Sequence, residues 1–185
     1  IANIPTGYGS LHLEFGGGIA WFPVEIPSGT RISARMQALI TVDTTDIRLF
    51  MFGGSSWSSV PVFQSIDTMG ALTASSHGTV LSTSPTEVIA STAEDYKALG
   101  FGLDGGGDTS LGTDSLLELF VGAGAAEKSL ISGIQFFSSN NERMGKIYPS
   151  QGIIPMEMNI PAGSRLSAQL VSAGAALALV LYGFR

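Results

Sequence analysis

Two stretches of this chain are copies of one another, and that repeat constrains the fold more than any other feature. Residues 18–35 read GIAWFPVEIPSGTRISAR and residues 152–169 read GIIPMEMNIPAGSRLSAQ. Aligned without a gap, they share Gly18/Gly152, Ile19/Ile153, Ile26/Ile160, Pro27/Pro161, Gly29/Gly163, Arg31/Arg165, Ser33/Ser167 and Ala34/Ala168. The match extends outward with small length changes, from Ile1 and Ile4 against Ile131 and Ile134 to Phe52-Gly53 against Tyr182-Gly183. Self-similarity at a fixed spacing marks duplicated structural units. Residues 1–54 therefore read as the C-terminal half of a first unit, and residues 55–185 as a complete second one. On this reading roughly 75 residues of the first unit are expected upstream of Ile1.

Both copies carry the alternation of a pleated strand. Phe22, Val24 and Ile26 alternate with Pro23 and Glu25, and Met156, Met158 and Ile160 alternate with Glu157 and Asn159. Successive side chains of a strand point to opposite faces, so a period of two predicts one buried face. A Pro-x-Gly turn follows in each copy, with Pro fixing φ and Gly free to take φ > 0. Next comes a second alternating run, with Ile32, Ala34 and Met36, or Leu166, Ala168 and Leu170, expected inside. Further strands are predicted at 11–15, 47–52, 88–92, 96–103, 116–121, 130–137 and 177–182. Gly, Ser, Asn and Asp clusters separate them. The exception is 92–97, where Ser91 and Glu94 form a capping-box pattern that would open a short helix running straight into a strand. Short strands at this spacing predict an all-β fold of tandem jelly-roll-like β-sandwich units, the first present only as its C-terminal half.

Composition supports that class. Hydrophobic residues are 44% and charged residues 13%, which excludes a disordered chain, and Gly at 24 of 185 disfavours a helical bundle. A net charge of −6 argues against phosphate-neutralising nucleic-acid binding. With no Cys and two His, neither a disulfide framework nor a Cys- or His-based metal centre is available.

The segment 166–184 carries no charge and matches a membrane span in length. Its counterpart in the first unit holds Arg35, Asp43, Asp46 and Arg48, so membrane insertion is not expected. The closing run LALVLY is apolar on both faces, and such strands are covered on both sides. Leu177, Leu179, Val180, Leu181 and Tyr182 are therefore expected at an interface with another subunit, ordinary central-strand burial being the alternative.

Catalytic chemistry is not expected. His12 and His77 lack a nucleophile elbow or metal motif around them. Carboxylates such as Glu14 and Glu25, or Glu118 and Glu157, match a glycosidase pair only by number. Asp104, Asp108 and Asp114 sit in a Gly-rich loop able to offer oxygen ligands to calcium, but their spacing fits no calcium repeat and suits a solvated connection equally well. Trp21 is the weak candidate for a sugar-stacking platform. Its counterpart is Pro155, and Trp57 lies between the units. No cofactor is implied.

Low charge, abundant Gly, Ser and Thr, absent Cys and the recurring IP[SA]G[TS]R[IL]SA turn at 26–34 and 160–168 resemble structural proteins of tailed-bacteriophage virions. Capsid decorations, head fibres, and tail or baseplate components are of this kind. The resemblance implies a non-enzymatic, oligomeric protein of an extracellular particle, whose partners are copies of itself and other virion proteins. A receptor-binding fibre module recognising a host-surface glycan is the alternative.

Overall fold

The alternation seen in the second copy of the repeat becomes two strands in a computed structural model, which describes residues 23–33, 51, 62–71, 78–104, 115–139, 146–148, 156–171 and 178–185. Among the described residues every regular element is a strand. In chain order these are β1 (Ile66–Met69), β2 (Thr79–Val80), β3 (Thr86–Ile89), β4 (Tyr96–Asp104), β5 (Ser115–Val121), β6 (Lys128–Ser139), β7 (Lys146–Tyr148), β8 (Met156–Ile160), β9 (Leu166–Leu170) and β10 (Ala178–Phe184).

The strands form two antiparallel sheets. One has the order β1-β10-β4-β8, with β2 also pairing β10, and the other has the order β3-β9-β5-β6-β7. The pairings nest: β1 lies on β10, β3 on β9, β4 on β8 and β5 on β6. The chain thus runs as one long hairpin bent over on itself, its rungs passing alternately to the two sheets. Antiparallel sheets with a shared apolar interior are consistent with a β-sandwich.

Leu99 of β4, Leu117 of β5, Ile160 of β8, Leu166 of β9 and Leu179 and Leu181 of β10 all enter the same buried cluster, which joins the two sheets. Burying each such side chain contributes about 1.5–3 kcal/mol. One local shift adjusts the phase. The β4–β8 register slips between Tyr96 and Ala98, so Tyr96 and Leu99 face the core although three positions apart. A bulge is what lets one strand change phase without losing its face.

The last strand departs from expectation in what covers it. All seven residues of β10 are buried within this single chain. Leu179 and Leu181 face the shared core, while Val180, Tyr182 and Phe184 join a second cluster with Phe63, Ala71 and Ala98. Val24 and Ile66 pack against that cluster, and the rings of Phe63 and Phe184 sit 5.2 Å apart, tilted by 46°. The cover expected from a neighbouring subunit is supplied by residues 62–71 and 23–25. Backbone bonds anchor it, from Glu25 N–H to Phe63 O at 2.9 Å and from Phe63 N–H to Pro23 O at 2.8 Å. Gly183 makes room on the opposite face, where an added Cβ would come within 2.6 Å of the Tyr96 ring.

Two further differences stand out. The short helix considered at 92–97 does not form; the chain bends at 93–94 and β4 starts at Tyr96. In the first copy, Val24 makes only an isolated parallel bridge to Phe63, and Ile26 and Ile32, expected inside, are exposed. The strand predicted at 11–15, and that at 47–52 apart from the exposed Met51, lie outside the described residues.

Candidate functional site

The repeated Pro-x-Gly segments fold into the same turn. The Pro27 carbonyl accepts from Thr30 N–H at 3.1 Å, and the Pro161 carbonyl accepts from Ser164 N–H at 3.3 Å. Gly29 and Gly163 have φ of 81° and 80°. A four-residue turn with positive φ at its third position favours Gly there, which is why both copies carry it.

Around the second copy the rest of the chain closes in. Thr92, buried at the end of the β3–β4 connection, donates its N–H to Ser164 O and accepts Gly163 N–H at its own carbonyl, both at 2.8 Å. Its hydroxyl donates to Pro161 O at 2.8 Å and accepts Ser164 N–H at 2.9 Å. Asp95 takes the Ala162 N–H on Oδ1 at 2.7 Å. Thr92 and Asp95, the neighbours of Ser91 and Glu94, thus bond a turn that lies 69 and 67 residues further along the chain.

Arg165 completes this site. Its Nε meets Glu87 Oε2 at 2.7 Å, and one terminal nitrogen meets Glu127 Oε1 at 3.0 Å and the Gly122 carbonyl at 3.1 Å. The hydrogen bond from Arg165 to Glu87 raises the guanidinium pKa further. Glu127 is held below the usual carboxylate range, first by its own backbone amide and then by Arg165. The flanking Ile160 and Leu166 are each 1% exposed.

Among the described residues, the first copy has the turn without these contacts. Ile26 is 44% exposed and Ile32 42%. Arg31, the counterpart of Arg165, is exposed and forms no ion pair among the described residues. What remains is an apolar pair, a cation and the open amides of a turn.

A second polar group lies at the chain end. Arg185 Nε donates to Ser65 Oγ at 2.6 Å and approaches Asp67 Oδ2 at 3.6 Å, while a terminal nitrogen reaches Glu94 Oε1 at 3.4 Å. The Tyr96 hydroxyl donates to Asp67 Oδ2 at 3.1 Å. Burial, then the Asp67 charge and hydrogen bond, push the Tyr96 pKa up to about 12. Beside this group is an open depression of about 400 Å³, lined by Val62, Phe63, Gln64, Lys97, Glu157 and Arg185.

The other residues singled out from the sequence form no cluster among the described residues. Trp21, Trp57, His12, His77, Glu14, Asp108, Asp114 and Leu177 lie outside the described residues. Asp104 ends β4, its backbone paired with Ala178. Glu118 and Glu157 occupy different sheets, and Glu118 accepts from Gln169 Nε2 at 2.6 Å. Among the described residues no three acidic or His side chains gather to hold a metal ion. Thr92, Asp95, Glu87 and Glu127 were not singled out at all. Their role depends on contacts far apart in the chain, and only the matched Arg31/Arg165 positions hinted at it. Comparison with family models, curated proteins and solved structures finds no match to this chain.

Proposed function

We propose that this chain is a non-enzymatic structural protein of a virion, built from tandem jelly-roll units and attached to a larger assembly. The observation that carries the reading is the nested pairing of first strand with last, β1·β10, β3·β9, β4·β8 and β5·β6. An eight-stranded jelly roll is a hairpin folded over in this manner, and viral capsid domains are among its common uses. The repeated turn supports a second such unit, represented here by residues 1–54. Because β10 is buried within the chain, attachment to other copies or virion proteins uses surfaces away from it. Fold alone does not fix function, so the test lies in the particle. Mass spectrometry of particles purified from the source of this sequence is expected to find the chain at fixed stoichiometry with the shell or tail proteins. Recovery only from the particle-free fraction refutes the reading.

Jelly rolls also serve as lectins, and the depression between Phe63, Lys97, Glu157 and Arg185 favours glycan recognition as the second reading. A glycan-array signal abolished by Arg185→Ala would move the assignment there.

A further inference from the structure

The two turns share backbone geometry, yet among the described residues only the second has a partner. We propose that the first turn, with Ile26, Arg31 and Ile32 around it, is a docking site for a separate polypeptide segment. That segment has the chemistry residues 86–96 of this chain offer to the second turn. It brings a strand bearing a carboxylate, then a loop bearing a hydroxyl and a second carboxylate, with apolar side chains on one face.

Each part follows from the occupied copy. Arg165 is held by Glu87 and Glu127, whereas Arg31, at the equivalent position, is exposed and forms no ion pair among the described residues. Charge complementarity therefore calls for an acidic occupant. At the second turn the amides of Ala162 and Gly163 and the carbonyls of Pro161 and Ser164 bond to Asp95 and Thr92. Among the described residues, their counterparts, the amides of Ser28 and Gly29 and the carbonyls of Pro27 and Thr30, make no hydrogen bond to such a loop. These are donors and acceptors a peptide loop matches pairwise. Ile160 and Leu166 are sealed by the chain, while Ile26 and Ile32 stand nearly half exposed, Ile32 next in sequence to Arg31. An apolar pair flanking a cation and a turn favours a polypeptide with an acidic strand.

A second folded copy of this chain is a poor occupant, because its own Thr92 loop is already engaged with its own Pro161 turn. The proposal rests on the repeat and the two turn geometries, not on a place in a virion. Either can fail while the other stands.

The probe is a fluorescently labelled synthetic peptide of residues 84–104, titrated into the intact chain and followed by anisotropy. Saturable binding is expected, weakened at least about tenfold by Arg31→Glu or Ile32→Asp in the chain, and by Thr92→Val in the peptide. Lys128→Glu, an exposed charge change on β6, should leave binding unaltered. Because Arg31 and Ile32 are exposed, their variants should keep the wild-type circular dichroism. Absence of saturable binding, or binding insensitive to both variants, overturns the proposal. So does loss of binding with Arg165→Glu in place of Arg31→Glu, since the peptide would then be displacing the native segment from the second turn. Sedimentation of the chain alone provides a further check. An oligomer that Ile32→Asp converts to monomer would make a second copy the occupant and exclude the separate segment.

Discussion

One turn occurs twice in this molecule, and the two occurrences live in different surroundings. At 161–164 it is locked against Thr92 and Asp95, with Ile160 and Leu166 sealed beside it; at 27–30 it projects with Ile26 and Ile32 in solvent. The hydrogen bond across the turn and the glycine φ are nevertheless the same. Turn geometry is therefore a local property, set by Pro and Gly within four residues. Burial of the flanking apolar residues is a non-local one, set by whether a β3–β4 segment arrives to cover them. Strand propensity behaves likewise, measuring fit to neighbours more than an intrinsic preference.

The sharpest way to break the comparison is to charge the apolar position after each turn. Leu166→Asp places a carboxylate in the dry interior between the sheets, costing several kcal/mol against a total stability of about 5–15. The expected outcome is a chain that does not fold. Ile32→Asp, at the matching position, should stay within about 0.5 kcal/mol in urea unfolding. Equal losses would mean that the first turn is covered in solution after all. Next in size is Thr92→Val, which removes the hydroxyl shared by Pro161 O and Ser164 N–H. Loss of about 1–3 kcal/mol is expected by urea unfolding, because buried backbone groups lose a partner.

These contrasts also locate what was legible in the sequence. Alternation placed Leu166, Ala168 and Leu170 on the core face and foresaw β4, β5, β6, β8, β9 and β10, since period two is written in consecutive residues. It missed β1, β2 and β7, which are short and carry little alternation. The capping-box pattern at Ser91 and Glu94 opens no helix; the adjacent Thr92 and Asp95 bond the 161–164 turn instead, a long-range target that no local pattern announces. The same limit explains β10. A strand apolar on both faces announces that it is covered twice, but not that residues 62–71 of its own chain do the covering. For the candidate site, Arg31 and Arg165 were visible as a matched pair, whereas Glu87 and Glu127 had no local mark.

Two pH limbs sharpen the comparison further, because Tyr96, next to Asp95, and Glu127, paired with Arg165, both have shifted pKa values. The Tyr96 pKa rises from 10.0 to about 12 on folding, so its contribution is intact below pH 10 and is lost as pH climbs to about 12. Alkaline titration of stability should fall through that window, and Tyr96→Phe should flatten the fall. Glu127 works in the opposite direction. Its lowered pKa stabilises the fold above the ordinary glutamate range and ceases to do so as pH drops through the folded value. Arg165→Ala should lower the melting temperature at neutral pH and weaken the acid limb, while Arg31→Ala should change neither. An identical response from the two arginines would erase the distinction between the turns.

The smallest effect comes from the serine two positions beyond each arginine. Ser167 is buried in β9 and its hydroxyl has no hydrogen-bond partner, while Ser33 in the first copy is exposed. A buried hydroxyl without a partner costs its desolvation and recovers nothing, so deleting it should help. Ser167→Ala is therefore expected to raise stability slightly, by up to about 1 kcal/mol. At Ser33 water already satisfies the hydroxyl, and Ser33→Ala should leave the urea midpoint where it is. The sign carries the information. A loss at Ser167 would mean that a bound water or another chain satisfies the oxygen, and the outer face of β9 would then be a contact surface in its own right.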